Sequence, residues 1–207
     1  MKTKDHFFKA VCTLAIPVAL QSMLQSSFSM VDQIMIGQLG EINVAGVGLA
    51  GKFSSIYSVV ISAIGAVAGI MIAQYLGQKN RSEVRRSFFT NLLLGAGIAG
   101  MFMVICTLFP NQIMGAYTRD VQTRQAAAEY LMLISGTFVP MAGATLLSTL
   151  FRCLEKPRLP LYASILSALL NTGLNYIMIF GKLGISPMGV RGAAFATVIS
   201  QCANFLL

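Results

Sequence analysis

Residues 7–36 read FFKAVCTLAIPVALQSMLQSSFSMVDQIMI, a stretch with no charge between Lys9 and Asp32. About 20 predominantly apolar residues cross the ~30 Å hydrocarbon core of a bilayer as a helix, so this segment is long enough to span. It is also too long for the core of a signal peptide, and no small-residue cleavage site interrupts it. A retained membrane helix is predicted. A carboxylate at the centre of such a helix costs roughly 2.5–3.5 kcal/mol on insertion scales and less toward the ends. At roughly 100° per residue, Gln21, Gln25, Ser29 and Asp32 fall at about 0°, 40°, 80° and 20°, one arc of the helix. Lipid rejects that stripe, so it is expected to face protein or a water-filled cavity. An Asp about one turn from the helix end, with its head in interfacial water, explains Asp32 equally well.

The rest of the chain repeats this composition. Hydrophobic residues make up 56% and charged residues 11%, with a mean hydropathy of +0.72. That excludes an ordinary soluble domain. Apolar segments at 8–36, 44–76, 88–109, 127–150, 160–181 and 190–207 predict an all-α integral membrane protein, a six-transmembrane-helix bundle with short connections.

The net charge of +8 distributes by topology. Lys2, Lys4, Lys9, Lys79, Arg81, Arg85, Arg86, Arg152, Lys156 and Arg158 lie on one side, and Lys52, Arg119, Arg124, Lys182 and Arg191 on the other. The positive-inside rule then places the N-terminus and the 77–87 and 152–160 connections in the cytoplasm. The basic loops read as orientation signals, and no nucleic-acid partner is expected. Cys12, Cys106, Cys153 and Cys202 have no metal or redox spacing, and His6 has no ligand partner nearby. They read as small apolar residues and as an interfacial residue.

Two segments match a dinucleotide-binding glycine pattern: Gly46, Gly48 and Gly51 in GVGLAG, and Gly95, Gly97 and Gly100 in GAGIAG. That fingerprint has meaning only between a strand and a helix. Inside apolar spans, these glycines and the Gly65/Gly69 pair are expected to let helix backbones approach closely. No HExxH, GxSxG or phosphate-binding loop occurs, and no deep basic residue accompanies the one deep acid. An enzyme is not expected.

Two more helices carry polar stripes. Ser164, Ser167, Asn171 and Asn175 fall at about 0°, 300°, 340° and 20°; Thr197, Ser200, Gln201 and Asn204 at about 0°, 300°, 40° and 340°. Such residues hold membrane helices together at only about 0.6 kcal/mol per bond. Three stripes and a carboxylate fit a shared polar cavity better. Carboxylate, amide and hydroxyl oxygens suit a hard cation such as Na⁺. A carboxylate in a partly dry pocket also suits a proton carrier. Pro17 and Pro140 fall inside spans, where a lost backbone bond bends the helix and can act as a hinge. The 12 Met and 13 Phe line an adaptable pocket, or face lipid.

The run SMVDQIMIGQLGEINVAGVGLAG (29–51), then AQYLGQKN (73–80), then LLNTGLNYIMIFGKLGISPMGVRGAAFATVISQ (169–201) resembles the multidrug and toxic compound extrusion (MATE) family. The likeness covers the whole chain in order. It implies one lobe of a twelve-helix transporter that exports drugs and organic cations in exchange for Na⁺ or H⁺ across the cytoplasmic membrane. Only the N-terminal lobe is resembled. The family's functional acid matches Asp32, with a possible Na⁺ at Asp32 and Asn171. An Asn and an Asp four residues apart on the fifth span match Asn171 and Asn175, so an amide replaces the second acid. A threonine of the sixth span matches Thr197. The single remaining charge leans toward H⁺, and no cofactor beyond the transported ion is implied. The last segment is short and ends without a flanking charge, so the chain is expected to be a fragment that does not carry out coupled transport alone, the C-terminal lobe being absent. The rivals are a related lipid-linked oligosaccharide flippase, which would want a basic cavity, and a non-transporting membrane packing module.

Overall fold

The computed structural model describes the backbone of residues 2–182, 184 and 186–207, and side chains from residue 15 onward. The side chains of His6 and Cys12 lie outside the described residues. Lipid offers no hydrogen bonds to a backbone, so a chain this apolar satisfies its amides internally. The result is α1 (Lys2–Gly37), α2 (Glu41–Gly77), α3 (Arg81–Leu108), a short α4 (Pro110–Gly115), α5 (Val121–Ile134), α6 (Phe138–Cys153), α7 (Arg158–Phe180) and α8 (Val190–Leu206), with no strand among the described residues. Counting α5 and α6 as one, six long helices form an all-α membrane bundle.

Four stretches are long and apolar enough to cross a membrane among the described residues: α2, α3, Val121–Cys153 and α7. The helices outrun the segments expected from hydropathy. α2 has 37 residues, about 55 Å, well beyond a hydrocarbon core. Local chemistry punctuates them. Gly40, at φ 95°, turns the chain into α2. Asn80 caps α3 by accepting from the Glu83 amide at 3.3 Å. Asp120 caps α5 by accepting from the Thr123 amide at 2.8 Å, and these bonds hold its carboxyl below the usual value. Gly181, at φ 68°, ends α7 in the left-handed region that glycine occupies without strain.

Pro140 does not kink the middle of a helix. It is the third residue of α6, just after a 3₁₀ turn at Ser135–Thr137 that divides the fourth span. Lacking an N–H, it leaves the Gly136 carbonyl without its helical partner, and the chain tightens there instead. Pro17 lies inside α1 and is buried.

The glycine segments divide by what they meet. Gly46 packs on Ala126 and Ala127 of α5, Gly65 and Gly69 on Thr145 and Thr149 of α6, and Gly95 on Leu146. Gly48, Gly51, Gly97 and Gly100 face open space, so close approach does not explain them. Behind these contacts, Tyr57, Phe102 and Phe138 join α2, α3 and α6 in one aromatic cluster, with ring centroids 4.3–6.4 Å apart. The Tyr57 hydroxyl donates to the Phe138 carbonyl at 2.5 Å, occupying an acceptor at the start of α6.

Helix α7 inverts the soluble pattern. Its buried residues include Ser164, Ser167, Asn171 and Asn175, while Leu166, Leu169, Leu170 and Tyr176 are exposed. In a bilayer the apolar face has no reason to hide and the polar face does. α7 packs chiefly on α8 and α1, which decides what its polar face meets.

Candidate functional site

Asp32, on the last turns of α1, is half-buried against α7. Its Oδ1 accepts from Asn175 Nδ2 at 2.6 Å, and the same Nδ2 reaches Asn171 Oδ1 at 3.2 Å. Asn171 Nδ2 then donates to Thr197 Oγ1 at 3.4 Å and Ser200 Oγ at 3.2 Å on α8. The i, i+4 spacing of Asn171 and Asn175 stacks both amides on one face, and Thr197 and Ser200 are one turn apart opposite them. Ser167 supports the arrangement by donating to the Ser200 carbonyl at 2.6 Å.

Which end of the Asn171 amide is oxygen and which is nitrogen follows from its hydrogen-bond partners. In the assignment above, its Oδ1 faces the Asp32 carboxyl. In the other, Nδ2 donates to Asp32 Oδ1 at 2.8 Å and Oδ2 at 2.9 Å, and Oδ1 accepts from Ser200 Oγ at 3.2 Å. The second sets the two asparagine nitrogens 3.2 Å apart. An amide oxygen beside a carboxyl needs a proton or a cation between them, whereas an amide N–H can donate to either charge state of the carboxyl. Asn175 Oδ1 is buried without a hydrogen-bond partner, a further free oxygen at the site. Among the described residues, no group of three or more His, Cys, Asp or Glu could hold a metal ion. A cation here would rest on one carboxylate and neutral oxygens.

Tyr130 of α5 is buried in the core. Sequence reading passed over it because the stretch around it has no polar stripe. A second carboxylate, Glu129, also falls within the fourth apolar stretch, near its start. It is paired with Arg191 of α8 and remains partly exposed.

The polar stripes do not share one cavity. Gln21, Gln25, Ser164, Gln201 and Asn204 line a separate cavity of about 570 Å³ between α1, α2, α6, α7 and α8. There Gln21 donates to Ser164 Oγ at 2.8 Å. Gln21 lies 11 positions before Asp32 on α1, about 16 Å along the axis, so one stripe serves two sites at different depths. Ser29, between them, is exposed. Arg152 corrects a second expectation. It stands in the last turn of α6, lines this cavity, and donates to Gln21 Oε1 at 3.5 Å. The cavity therefore does hold a basic residue, which hydropathy had assigned to a loop.

An all-helical membrane bundle that turns its polar stripes inward around an acid has the build of a transporter lobe. The family model described as MatE matches residues 17–177, and the chain belongs to this family, the one its sequence resembles. A probable multidrug resistance protein NorM of Thermotoga maritima is 31% identical over 201 residues, covering 93% of this chain and 42% of that protein. A probable multidrug resistance protein YoeA of Bacillus subtilis is 25% identical over 209 residues, covering all of this chain and 45% of that one. An outward-facing multidrug resistance MATE family transporter superposes with a TM-score of 0.87 at 21% identity, over 96% of this chain and 43% of that structure. A MATE structure in the bent conformation gives 0.84 and one in the straight conformation 0.87. The chain thus spans less than half the length of the relatives it matches.

Proposed function

We propose that this chain is the N-terminal lobe of a cation-coupled antiporter that exports drugs and organic cations across the cytoplasmic membrane. It would work by alternating access against a second, C-terminal lobe. The observation that carries the reading is the Asp32–Asn175–Asn171–Thr197 network. It joins three helices through one ionisable group, so a change of charge there is felt by α1, α7 and α8 together. Asp32 is the coupling acid. Asn171, Asn175 and Thr197 orient it.

H⁺ is the ion this arrangement favours. The position four residues after Asn171 holds an amide, leaving one carboxylate where a two-acid Na⁺ site would have two. A protonated Asp32 can donate to an amide oxygen and an ionised one can accept an amide N–H, and the asparagines beside it carry both groups. If Na⁺ were the ion, Asp32, Asn171 Oδ1 and Asn175 Oδ1 would hold it. In proteoliposomes of the two-lobed protein, a pH gradient without sodium is expected to drive drug efflux. Efflux that appears only under a sodium gradient would reverse the assignment of the ion.

Orientation follows from charge: the N-terminus and the α2–α3 connection in the cytoplasm, 110–124 and 182–191 outside. A cysteine placed at Ser82 is expected to react with a membrane-impermeant maleimide only after cells are opened. Labelling of intact cells would invert the topology.

A further inference from the structure

We infer that the α2–α3 end of the bundle binds an anionic phospholipid, Arg81 and Arg85 taking the headgroup phosphate and the face of α3 beyond them the acyl chain. This goes beyond the transport reading and rests only on the membrane fold, since the Asp32 network takes no part in it.

Cations crowd this end. Lys79, Arg81, Arg85 and Arg86 are all exposed, against one carboxylate, Glu83, which lies 4.0 Å from Arg86. Lys79, Arg81 and Arg85 enter neither ion pair found among the described residues. Water alone would satisfy charges so placed, but Arg85 is held. Its guanidinium carbon stands 5.8 Å from the centroid of the Phe89 ring, within the range of a cation–π contact. Helical side chains lean toward the N-terminus, so Phe89 reaches back beneath Arg85, one turn before it. Phe88 meets the same ring edge-on, with centroids 5.7 Å apart.

The same face then changes character with depth. At roughly 100° per residue, Arg81, Arg85, Phe89 and Leu93 fall within about 120° of arc and run about 18 Å along the axis. Phe89 is 49% exposed and Leu93 74%, and Leu94, Met101, Val104 and Leu108 beyond them are exposed too. Charge, ring and aliphatic chain therefore follow one another in the order of headgroup, interface and hydrocarbon in a leaflet. Helix α3 packs chiefly on α2 and α6, which leaves this arc facing outward. Charge selects the lipid. A guanidinium fork matches a phosphate bidentately, and each cation near the surface strengthens binding of an anionic headgroup roughly fivefold. Phosphatidylcholine carries a phosphate too, but its ammonium is repelled by the same cluster.

The chain contains no tryptophan, so Leu93→Trp places a single indole on this face, one turn below Phe89. In bilayers mixing phosphatidylcholine and phosphatidylglycerol, with one of the two brominated, quenching of the indole reads which lipid lies against it. Phosphatidylglycerol is expected to bind there about tenfold more tightly than phosphatidylcholine. Removing both arginines, by Arg81→Gln with Arg85→Gln, should bring the two lipids within about threefold. Phe89→Leu keeps every charge but frees Arg85, and should lower the preference about two- to threefold. Lys182→Gln, at the opposite end of α7, should keep the full preference; an equal drop there would make the effect one of net charge and overturn the inference. Equal quenching by the two lipids, or a preference that survives loss of both arginines, would also overturn it. So would an indole shielded from both lipids when Leu93→Trp is read in the two-lobed protein, because protein would then cover the face.

Discussion

Replacing Asp32 by Asn is expected to reduce ion-driven drug export to the level of cells lacking the protein, with the amount of protein in the membrane unchanged. Asn preserves the size of the side chain and can still meet Asn175 and Asn171, but it cannot gain or lose a charge. Removing the carboxylate also removes a desolvation cost of up to roughly 2.5–3.5 kcal/mol, so insertion should be no harder. What disappears is the difference in charge between the two protonation states of Asp32. An ion shifts a conformational equilibrium only through such a difference. Drug resistance of cells expressing Asp32→Asn, set beside a blot of their membranes, is the measurement. Full resistance would remove Asp32 from the coupling role and leave its network as helix packing.

The second large effect is on the scaffold. A Cβ at Gly192 would lie 2.7 Å from the Met178 backbone carbon and oxygen and 3.0 Å from Met178 Cβ. Backbone in a packed helix cannot retreat as a flexible side chain can. Gly192→Ala should therefore force α7 and α8 apart and destabilise the bundle by about 1–3 kcal/mol, the usual range for overpacking. The same separation would stretch the hydrogen bonds from Asn171 to Thr197 and Ser200. Gly173→Ala is the control, because nothing lies within 4 Å of a Cβ there. Alanine at that helical position should be neutral or stabilising by about 0.5–1 kcal/mol. Folded fraction during titration with sodium dodecyl sulfate reads both. Equal stability of the two variants would refute the close-packing role of Gly192.

The difference between these glycines marks where reading the chain stops. GVGLAG and GAGIAG look alike as strings, yet Gly46 and Gly95 meet neighbours while Gly48, Gly51, Gly97 and Gly100 do not. A helix presents several faces, and a string does not say which of them the neighbouring helix will use. The polar stripe of α7 was legible for the opposite reason. With Leu and Tyr around the rest of its circumference, lipid leaves that stripe only one place to go. Asp32 was legible on the same ground, as a charge that hydrocarbon cannot hold.

Two kinds of site residue were not legible. Tyr130 and Glu129 lie together on α5; Tyr130 is buried in the core, and Glu129 pairs with Arg191, 62 positions away. No local pattern encodes those meetings. Arg152 counted as a loop charge because its neighbours end a hydrophobic run, yet a long flexible side chain in the last turn of a helix can point back along it.

The pattern of apolar runs, inward stripes and basic loops therefore carries the class of the protein, its six helices and the deep acid, because each follows from what hydrocarbon excludes. How the stripes divide was decided by packing. Helix α7 packs on both α1 and α8, but the polar residues at the two ends of the α1 stripe are about 16 Å apart. One end gathers an acid with amides and hydroxyls, and the other opens into a cavity holding an arginine. Periodicity places residues on a face; only the contacts between helices separate that face into two sites of different charge.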